Sequence, residues 1–227
     1  MTYLYLLLNI SSLSIPFLFS FHPKIKFYKK WKSLIIAMLI SMLIFIPWDI
    51  IFTKNGFWGF NETYFLNIKF LHLPLEEWLF FICIPYACVF THYSLLHFFP
   101  KLKLSLQHTK IITLILIFVF MCLSIFNYNK WYTFINFTLA SIILISVRLT
   151  KIDLLKRFYL TFLVMLIPFF IVNGILTGSF IENEVVWYNN AENLNIRLFT
   201  IPIEDSVYAF SLILINLFII SLKKSTK

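Results

Sequence analysis

The sequence has little charge and little glycine. Only 13% of its 227 residues are charged and four are glycine, whereas 28 are phenylalanine and 60% are hydrophobic. Soluble domains average about 25% charged residues. The shortage of charge therefore excludes an ordinary soluble domain and predicts a surface that faces membrane lipid. A membrane span takes about 20 apolar residues, so several spans would leave no room for a separate soluble domain.

Support for disulfide, metal or cofactor chemistry is also missing. Cys83, Cys88 and Cys122 lie in apolar runs without Cys-x-x-Cys spacing, which argues against a disulfide framework and a metal site. His92 and His97 add no metal-ligating cluster. No Gly-x-Gly-x-x-Gly fingerprint occurs, so no flavin is expected. The N-terminal segment lacks a basic region and a cleavage site, and we expect no removable signal peptide.

Acidic residues are few, and the net charge is +9. Such an excess can indicate nucleic-acid binding. Here, however, Lys and Arg fall mainly in short segments between apolar runs, where they act as signals of membrane topology. We therefore expect no nucleic-acid partner.

Seven apolar runs are predicted to cross the membrane. They cover residues 3–21, 33–53, 75–98, 111–126, 131–147, 158–178 and 200–222. The fourth and fifth are joined at Asn127–Lys130, which predicts a tight hairpin.

Basic residues mark every second connection. These connections are Lys24–Lys32, Lys101–Lys110, Arg148–Arg157 and the tail with Lys223, Lys224 and Lys227. Excess Lys and Arg mark the cytoplasmic side. We therefore expect a multi-pass protein of the cell membrane with its N-terminus outside and its C-terminus in the cytoplasm.

The chain contains an internal repeat. Residues 48–53 (Trp-Asp-Ile-Ile-Phe-Thr) align with 172–177 (Val-Asn-Gly-Ile-Leu-Thr), and residues 73–80 align with 201–208, where both contain Pro-x-acid-acid. The two offsets, 124 and 128, differ by a short loop insertion. Spans one to three therefore correspond to spans five to seven, and an odd connector lets both units point the same way.

The predicted fold is an all-α integral membrane protein in which two parallel three-helix repeats are joined by one connector helix. We place the first repeat at residues 1–98, the connector at 99–130 and the second repeat at 131–227.

Polar residues gather where these helices meet one face of the membrane. They are Asp49, Glu76, Glu77, Asn173, Glu204 and Asp205. Successive residues on a helix diverge by about 100°, so one acid of each pair can face a cavity while the other meets a loop or water. Acids near hydrocarbon are costly and indicate function. A simpler account is that Pro and acids in a first turn favour a helix N-terminus.

Aromatic residues surround these acids: Trp48, Trp78, Phe80, Phe81, Trp187, Tyr188 and Tyr208. They are typical of an interfacial aromatic belt. Alternatively, they line a pocket that stabilises a carbocation by cation–π contact.

The motifs resemble those of the membrane lycopene cyclase domain family. Its pattern is similar to Leu73–Phe81 in the first half and to Asn173–Gly178, Val186–Asn189 and Ile201–Asp205 in the second. The chain resembles a fused, single-chain form of the heterodimeric bacterial and fungal-type enzymes.

The resemblance implies redox-neutral cyclisation of the ends of lycopene to β-ionone rings, giving γ-carotene and then β-carotene, without a cofactor. It also implies a lipid-soluble substrate and association with other carotenoid enzymes. The expected acid/base residues are Glu76, Glu77, Glu204 and Asp205, then Asp49. The expected substrate-binding residues are Trp48, Pro74, Trp78, Phe80, Phe81, Asn173, Trp187, Tyr188, Pro202 and Tyr208.

Other functions fit parts of the pattern. A carotenoid hydratase would share the acid but admit water. A UbiA-type prenyltransferase needs paired aspartate motifs for Mg²⁺, whereas Asp49 and Asn173 supply too few carboxylates. A retinal protein needs a Lys in its last span, and 200–222 has none. A transporter usually has spans interrupted by glycine, and only the sixth span, with Gly174 and Gly178, does.

Overall fold

The structure is a computed structural model that describes residues 2–223. Lys224 and Lys227 of the basic tail lie outside the described residues. The helices are α1 Leu4–Phe19, α2 Trp31–Lys54, α3 Leu75–Phe98, α4 Leu106–Phe126, α5 Trp131–Thr150, α6 Ile152–Leu176 and α7 Ile203–Lys223. Short 3₁₀ turns precede α2 at Phe27–Lys30 and follow it at Glu62–Tyr64.

Within the described chain, six helices are long and apolar enough to cross a membrane. These helices, α2 to α7, confirm the predicted apolar runs. The first helix, α1, has 16 residues and is about 24 Å long, shorter than the predicted span. It lies beside α3 from Tyr5, which contacts Glu77, to Ser20, which contacts Tyr86.

Some helices begin at residues other than the predicted ones. The α4 helix begins before the predicted residue 111, because the Ser105 hydroxyl accepts the His108 N–H as an N-cap. The predicted hairpin between α4 and α5 is present, and Lys130 N–H donates to the Asn127 carbonyl at 2.9 Å. Pro74 and Pro202 lie in the short strands immediately before α3 and α7 and not at the first helical position, which disfavours the simpler account of the prolines as helix starters.

The two repeats pack in corresponding ways. In the first, α1 packs on α3, and in the second, α5 packs on α7. The middle helix of each repeat packs against the other repeat, α2 against α7 and α6 against α3. The α4 helix covers α5 and α6 as the connector. This arrangement confirms two parallel three-helix units joined by one helix, while the exact boundaries of the units stay a prediction.

Six short strands lie at the end of the bundle where the acids cluster. They are β1 Trp58–Phe60, β2 Lys69–Phe70, β3 Leu73–Pro74, β4 Val186–Tyr188, β5 Arg197–Leu198 and β6 Ile201–Pro202. Two antiparallel hairpins, β2–β3 and β5–β6, immediately precede α3 and α7. They correspond in register, since Lys69 pairs with Pro74 and Arg197 pairs with Pro202.

The strands β1 and β4 join the repeats through an antiparallel pair. Gly59 lies opposite Trp187, and Trp58 and Phe60 lie opposite Tyr188 and Val186. At an offset of 128, Gly59 and Trp187 are repeat counterparts. The strands β1 and β4 occupy corresponding positions in the two repeats and pair antiparallel with each other. Such pairing requires that a twofold axis relates the two repeats. The axis therefore passes between Gly59 and Trp187.

Candidate active site

The two acids of each pair diverge, and the first of each faces the loop. Glu76 is fully buried and its Oε1 accepts the Leu66 N–H at 2.8 Å. Glu204 is likewise fully buried and accepts the Leu194 N–H at 2.7 Å. A buried carboxylate that accepts backbone N–H groups fixes the backbone it touches. These two acids therefore anchor the loops that lead into the hairpins.

An asparagine on the neighbouring helix holds the start of each acid-bearing helix. Asn9 of α1 donates to the Glu76 carbonyl at 2.9 Å, and Asn136 of α5 donates to the Glu204 carbonyl at 2.6 Å. The Thr133 hydroxyl also donates to Glu204 at 2.7 Å. The positions of Glu77 and Asp205 are thus fixed from both the loop side and the helix side.

The second acid of each pair faces the interior. Glu77 and Asp205 line a cavity of about 630 Å³ together with Asp49. The walls come from α1, α2, α3, α5, α6 and α7 and from the strands β1 and β4, and most of the lining is apolar. Among the residues that the structure describes, no Lys or Arg lines this cavity. In this part of the chain, the cavity therefore combines carboxyl groups with a mostly apolar wall and has no lining cation to neutralise them.

Asp205 accepts three hydrogen bonds. The Tyr132 phenol donates to Oδ1 at 2.6 Å, and the Asn173 amide and the Tyr188 phenol donate to Oδ2 at 2.8 and 2.9 Å. The donors come from α5, α6 and β4. Hydrogen bonds to the charged form stabilise that form, so these three bonds act to favour the ionised form of Asp205 against the effect of its burial.

The other two acids each meet one phenol. Glu77 accepts a hydrogen bond from Tyr5 of α1. The Tyr208 phenol of α7 lies 3.1 and 3.2 Å from the two oxygens of Asp49, so a single donor is shared between them. Asp49 is 2% exposed, whereas Glu77 is half-buried.

The phenol of Tyr188 remains a donor over the ordinary pH range. Tyr188 lies on β4, outside the helices. Burial, followed by the charge of Asp205, holds the pKa of Tyr188 well above its ordinary value. Its ring stacks on Tyr132 at a centroid distance of 5.8 Å. The stacked rings of Tyr132 and Tyr188 therefore hold both hydroxyl groups in position to donate to Asp205.

The cavity reaches the apolar outer surface of the helix bundle at α1 and α6. Its lining includes Ile15 of α1 and Ile171 of α6, which are 65% and 61% exposed. At 1.5 Å per residue, Ile15 lies about 16 Å from the start of α1 and Ile171 about 8 Å from the end of α6. A bilayer core is about 30 Å thick, so the opening lies at hydrocarbon depth and not at the water surface.

The corresponding region of the other half is filled with rings. Val172 lines the cavity, but its counterpart Trp48 is buried and contacts Phe45, Phe52 and Tyr208 at centroid distances of 5.8, 5.6 and 5.1 Å. The twofold arrangement therefore does not produce two equal cavities.

Comparison with known families agrees with the repeat. A family model described as lycopene cyclase matches residues 2–95 and 129–222. The chain belongs to the lycopene cyclase family. No curated protein and no solved structure matches it. Membership in the lycopene cyclase family indicates an enzyme whose substrate is a lipid-soluble carotenoid, and several apolar helices are consistent with a multi-pass membrane protein.

The predicted site residues of this lycopene cyclase family member separate into two groups. Those that line the cavity are Asp49, Glu77, Phe80, Asn173, Tyr188, Asp205 and Tyr208. Those outside its lining are Trp48, Glu76, Pro74, Trp78, Phe81, Trp187, Pro202 and Glu204. The ring of Trp78 packs at a tilt against Phe70, with the centroids 5.2 Å apart, and the ring of Phe81 lies 6.3 Å from that of Phe45.

Two tyrosines at the site escaped the sequence analysis. Tyr5 and Tyr132 line the cavity and hydrogen-bond Glu77 and Asp205. A signal for them existed, because Tyr-x-x-x-Asn occurs at 5–9 and again at 132–136. The tyrosine and asparagine of this motif lie one helical turn apart, so both reach the same neighbouring helix.

Proposed function

We propose that this protein is a lycopene β-cyclase that converts the linear ends of lycopene to β-rings, giving γ-carotene and then β-carotene. The observation that carries the proposal is the set of three carboxyl groups, Asp49, Glu77 and Asp205, on the wall of an apolar cavity open to lipid. Ring formation on a hydrocarbon needs a proton donor and a proton acceptor, and needs neither a redox cofactor nor a nucleophile.

The cavity suits each stage of this isomerisation. A carboxylic acid protonates the terminal alkene, and the resulting cation is attacked by a nearby alkene, which closes the ring. A carboxylate then removes a neighbouring proton. Rings of Trp58, Tyr132 and Tyr208 line the cavity, and aromatic faces stabilise cations. The mostly apolar wall limits water, which would otherwise capture the cation.

The lateral opening fits a substrate dissolved in the membrane. A carotenoid end can pass between α1 and α6 from the hydrocarbon layer, while the rest of the molecule stays in lipid. Since only one of the two related regions is hollow, the ends of one lycopene molecule would react in succession.

We further propose that the acid cluster lies at the outer side of the cell membrane. The ends of α2 and α6 and the starts of α3 and α7 meet there, and the basic connections lie at the opposite ends of the helices. Excess positive charge on the cytoplasmic side then places the N-terminus outside. Cysteine labelling of the 61–69 and 189–197 loops in intact cells tests this orientation.

The test of the function is expression in a bacterium that accumulates lycopene, followed by chromatography and mass spectrometry of the pigments. Products of unchanged mass with one and then two β-rings support the proposal. A product that has gained water would identify a hydratase. Unchanged lycopene, with the protein present in the membrane, would refute the cyclase assignment.

A further inference from the structure

The acid environments of the two repeats have diverged in a specific way. Asp205 receives donors from Tyr132, Tyr188 and Asn173. The counterparts of these three residues around Glu77 are Tyr5, Phe60 and Asp49.

Of these counterparts, only Tyr5 donates a hydrogen bond to Glu77 in the described structure. Phe60 has no polar group, and Asp49 has a carboxyl in place of the Asn173 amide. The duplicated site therefore carries three donors on one acid and one donor on the other. Tyr5 and Tyr132 are the pair that both halves share.

The three cavity acids lack a neutralising cation. In the part of the chain that the structure describes, no Lys or Arg forms an ion pair with Asp49, Glu77 or Asp205, and no Lys or Arg lines the cavity. Buried like charges that are not paired are costly. The cavity therefore favours one ionised acid with its negative charge spread over several donors, and the others neutral.

We propose that Glu77 rests protonated and delivers the proton to the carotenoid end, whereas Asp205 rests ionised and removes the proton after ring closure. This assignment rests on the proposed cyclase function. Glu77 is the donor and not Asp49, because both line the cavity but Glu77 is the more exposed of the two, and the Tyr208 phenol lies within hydrogen-bond distance of both oxygens of Asp49. Asp49 stays neutral beside them.

The steps balance without an oxidant or a reductant. The O–H bond of Glu77 breaks as a C–H bond forms at the terminal alkene, which leaves a tertiary cation. The electron pair of a second alkene forms the ring C–C bond and moves the cation into the ring. A C–H bond next to the cation then breaks, its electron pair forms the ring alkene, and its proton goes to Asp205. Loss of that proton from Asp205 and return of a proton to Glu77 then reset the site.

The fixed carboxylate of Asp205 also has an electrostatic task. A preorganised negative group in an apolar cavity stabilises positive charge that develops on the substrate. Its three hydrogen bonds hold it in place and keep it from combining with the cation. The same acid is therefore available as the base when the cation reaches the ring.

Deuterium labelling tests the division of roles. Membranes with the full-length protein are supplied with lycopene in D₂O, and wild type is expected to place one deuterium in each ring formed. Glu77→Gln should yield neither rings nor labelled lycopene. Asp205→Asn should lower the rate of ring formation by about 100-fold or more. The linear lycopene recovered from this variant should still contain deuterium, because protonation by Glu77 is reversible. Glu62→Gln, an exposed acid paired with Lys69, is the matched control and should behave as wild type.

Infrared difference spectroscopy gives a second measurement that needs no substrate. Glu77→Gln should remove a protonated carboxyl band that shifts in D₂O, and Asp205→Asn should remove a carboxylate band. The reverse pattern, or deuterium uptake by Glu77→Gln but not by Asp205→Asn, overturns the assignment. If wild type forms no ring, both the proposed function and the catalytic roles of Glu77 and Asp205 are refuted. The infrared spectra still show which of the two carboxyl groups is protonated at rest.

Discussion

Gly59 lies directly opposite Trp187 at the twofold axis, and a Cβ on Gly59 would come within 2.4 Å of the Trp187 indole. The contact links β1 to β4 and thereby one repeat to the other. A residue without a side chain at this position lets the indole lie across the strand.

Gly59→Ala should therefore destabilise the protein by about 1–3 kcal/mol, the usual cost of overpacking. The measurement is the thermal unfolding midpoint in detergent. Gly59→Ala combined with Trp187→Ala removes the clash, so the double variant should be no less stable than Trp187→Ala alone. If Gly59→Ala is as stable as wild type, the indole has moved aside at no cost and the contact does not hold the halves together.

Adjacent residues at the start of α7 should behave differently when they are neutralised. Asp205→Asn replaces a cavity carboxyl and should reduce cyclisation by about 100-fold or more. Glu204→Gln keeps an oxygen that can accept the Leu194 N–H, so the loop stays anchored and pigment yield should stay within a few-fold of wild type. Chromatography of pigments from both strains, normalised to protein in the membrane, decides between them.

Similar loss in both variants would mean that Glu204 has a chemical role. That result would agree with the prediction from the sequence, which placed both acids of the pair in the acid/base set.

Tyr5 and Tyr132 are repeat counterparts, but their loss should have unequal effects. Tyr5→Phe removes the single hydrogen bond to Glu77, whereas Tyr132→Phe leaves Asp205 two donors. Glu77 becomes charged as it gives up its proton, and a hydrogen bond to a charged group contributes about 1.5–3 kcal/mol, which corresponds to about 10- to 150-fold in rate. Tyr5→Phe should show this loss in initial cyclisation rate, and Tyr132→Phe a smaller one. Equal losses would argue against the unequal donor sets.

If the substrate enters through the lateral opening, a bulky residue beside it on α6 should hinder entry. Ile171→Trp puts a large ring in the lining between α1 and α6 and should lower pigment yield by restricting access. Ile167→Trp is the matched control, because Ile167 is similarly exposed on the same helix, at 65% against 61% for Ile171, but lies outside the cavity lining. Substrate titration should show the defect of Ile171→Trp chiefly as a raised KM. A defect of equal size in both variants would point to disturbed packing against lipid.

Much of the fold follows from local pattern. Long apolar runs between basic connections determine where the helices lie, because backbone in hydrocarbon must satisfy its own hydrogen bonds. The repeated Pro-x-acid-acid fixes the correspondence of the halves. The predicted starts of α4 and α7 were off by several residues, since the Ser105 cap sets the start of α4 and a short strand sets the start of α7. The α6 helix begins at Ile152, six residues before the predicted start, because its first turns are polar and hydropathy does not reveal them.

The sequence by itself determined a duplicated helical membrane protein with its acids at one end, because hydrophobic length and repeat spacing are properties of the chain. Only the tertiary structure decided that Glu77 and Asp205 face the cavity while Glu76 and Glu204 bind loop backbone. Adjacent residues of a first turn look alike in sequence, and their directions depend on which helix packs beside them. The same packing brings Tyr5 and Tyr132 to the acids. It also lets Trp48 fill its region of the first half, whereas the corresponding region beside Val172 in the second half stays open.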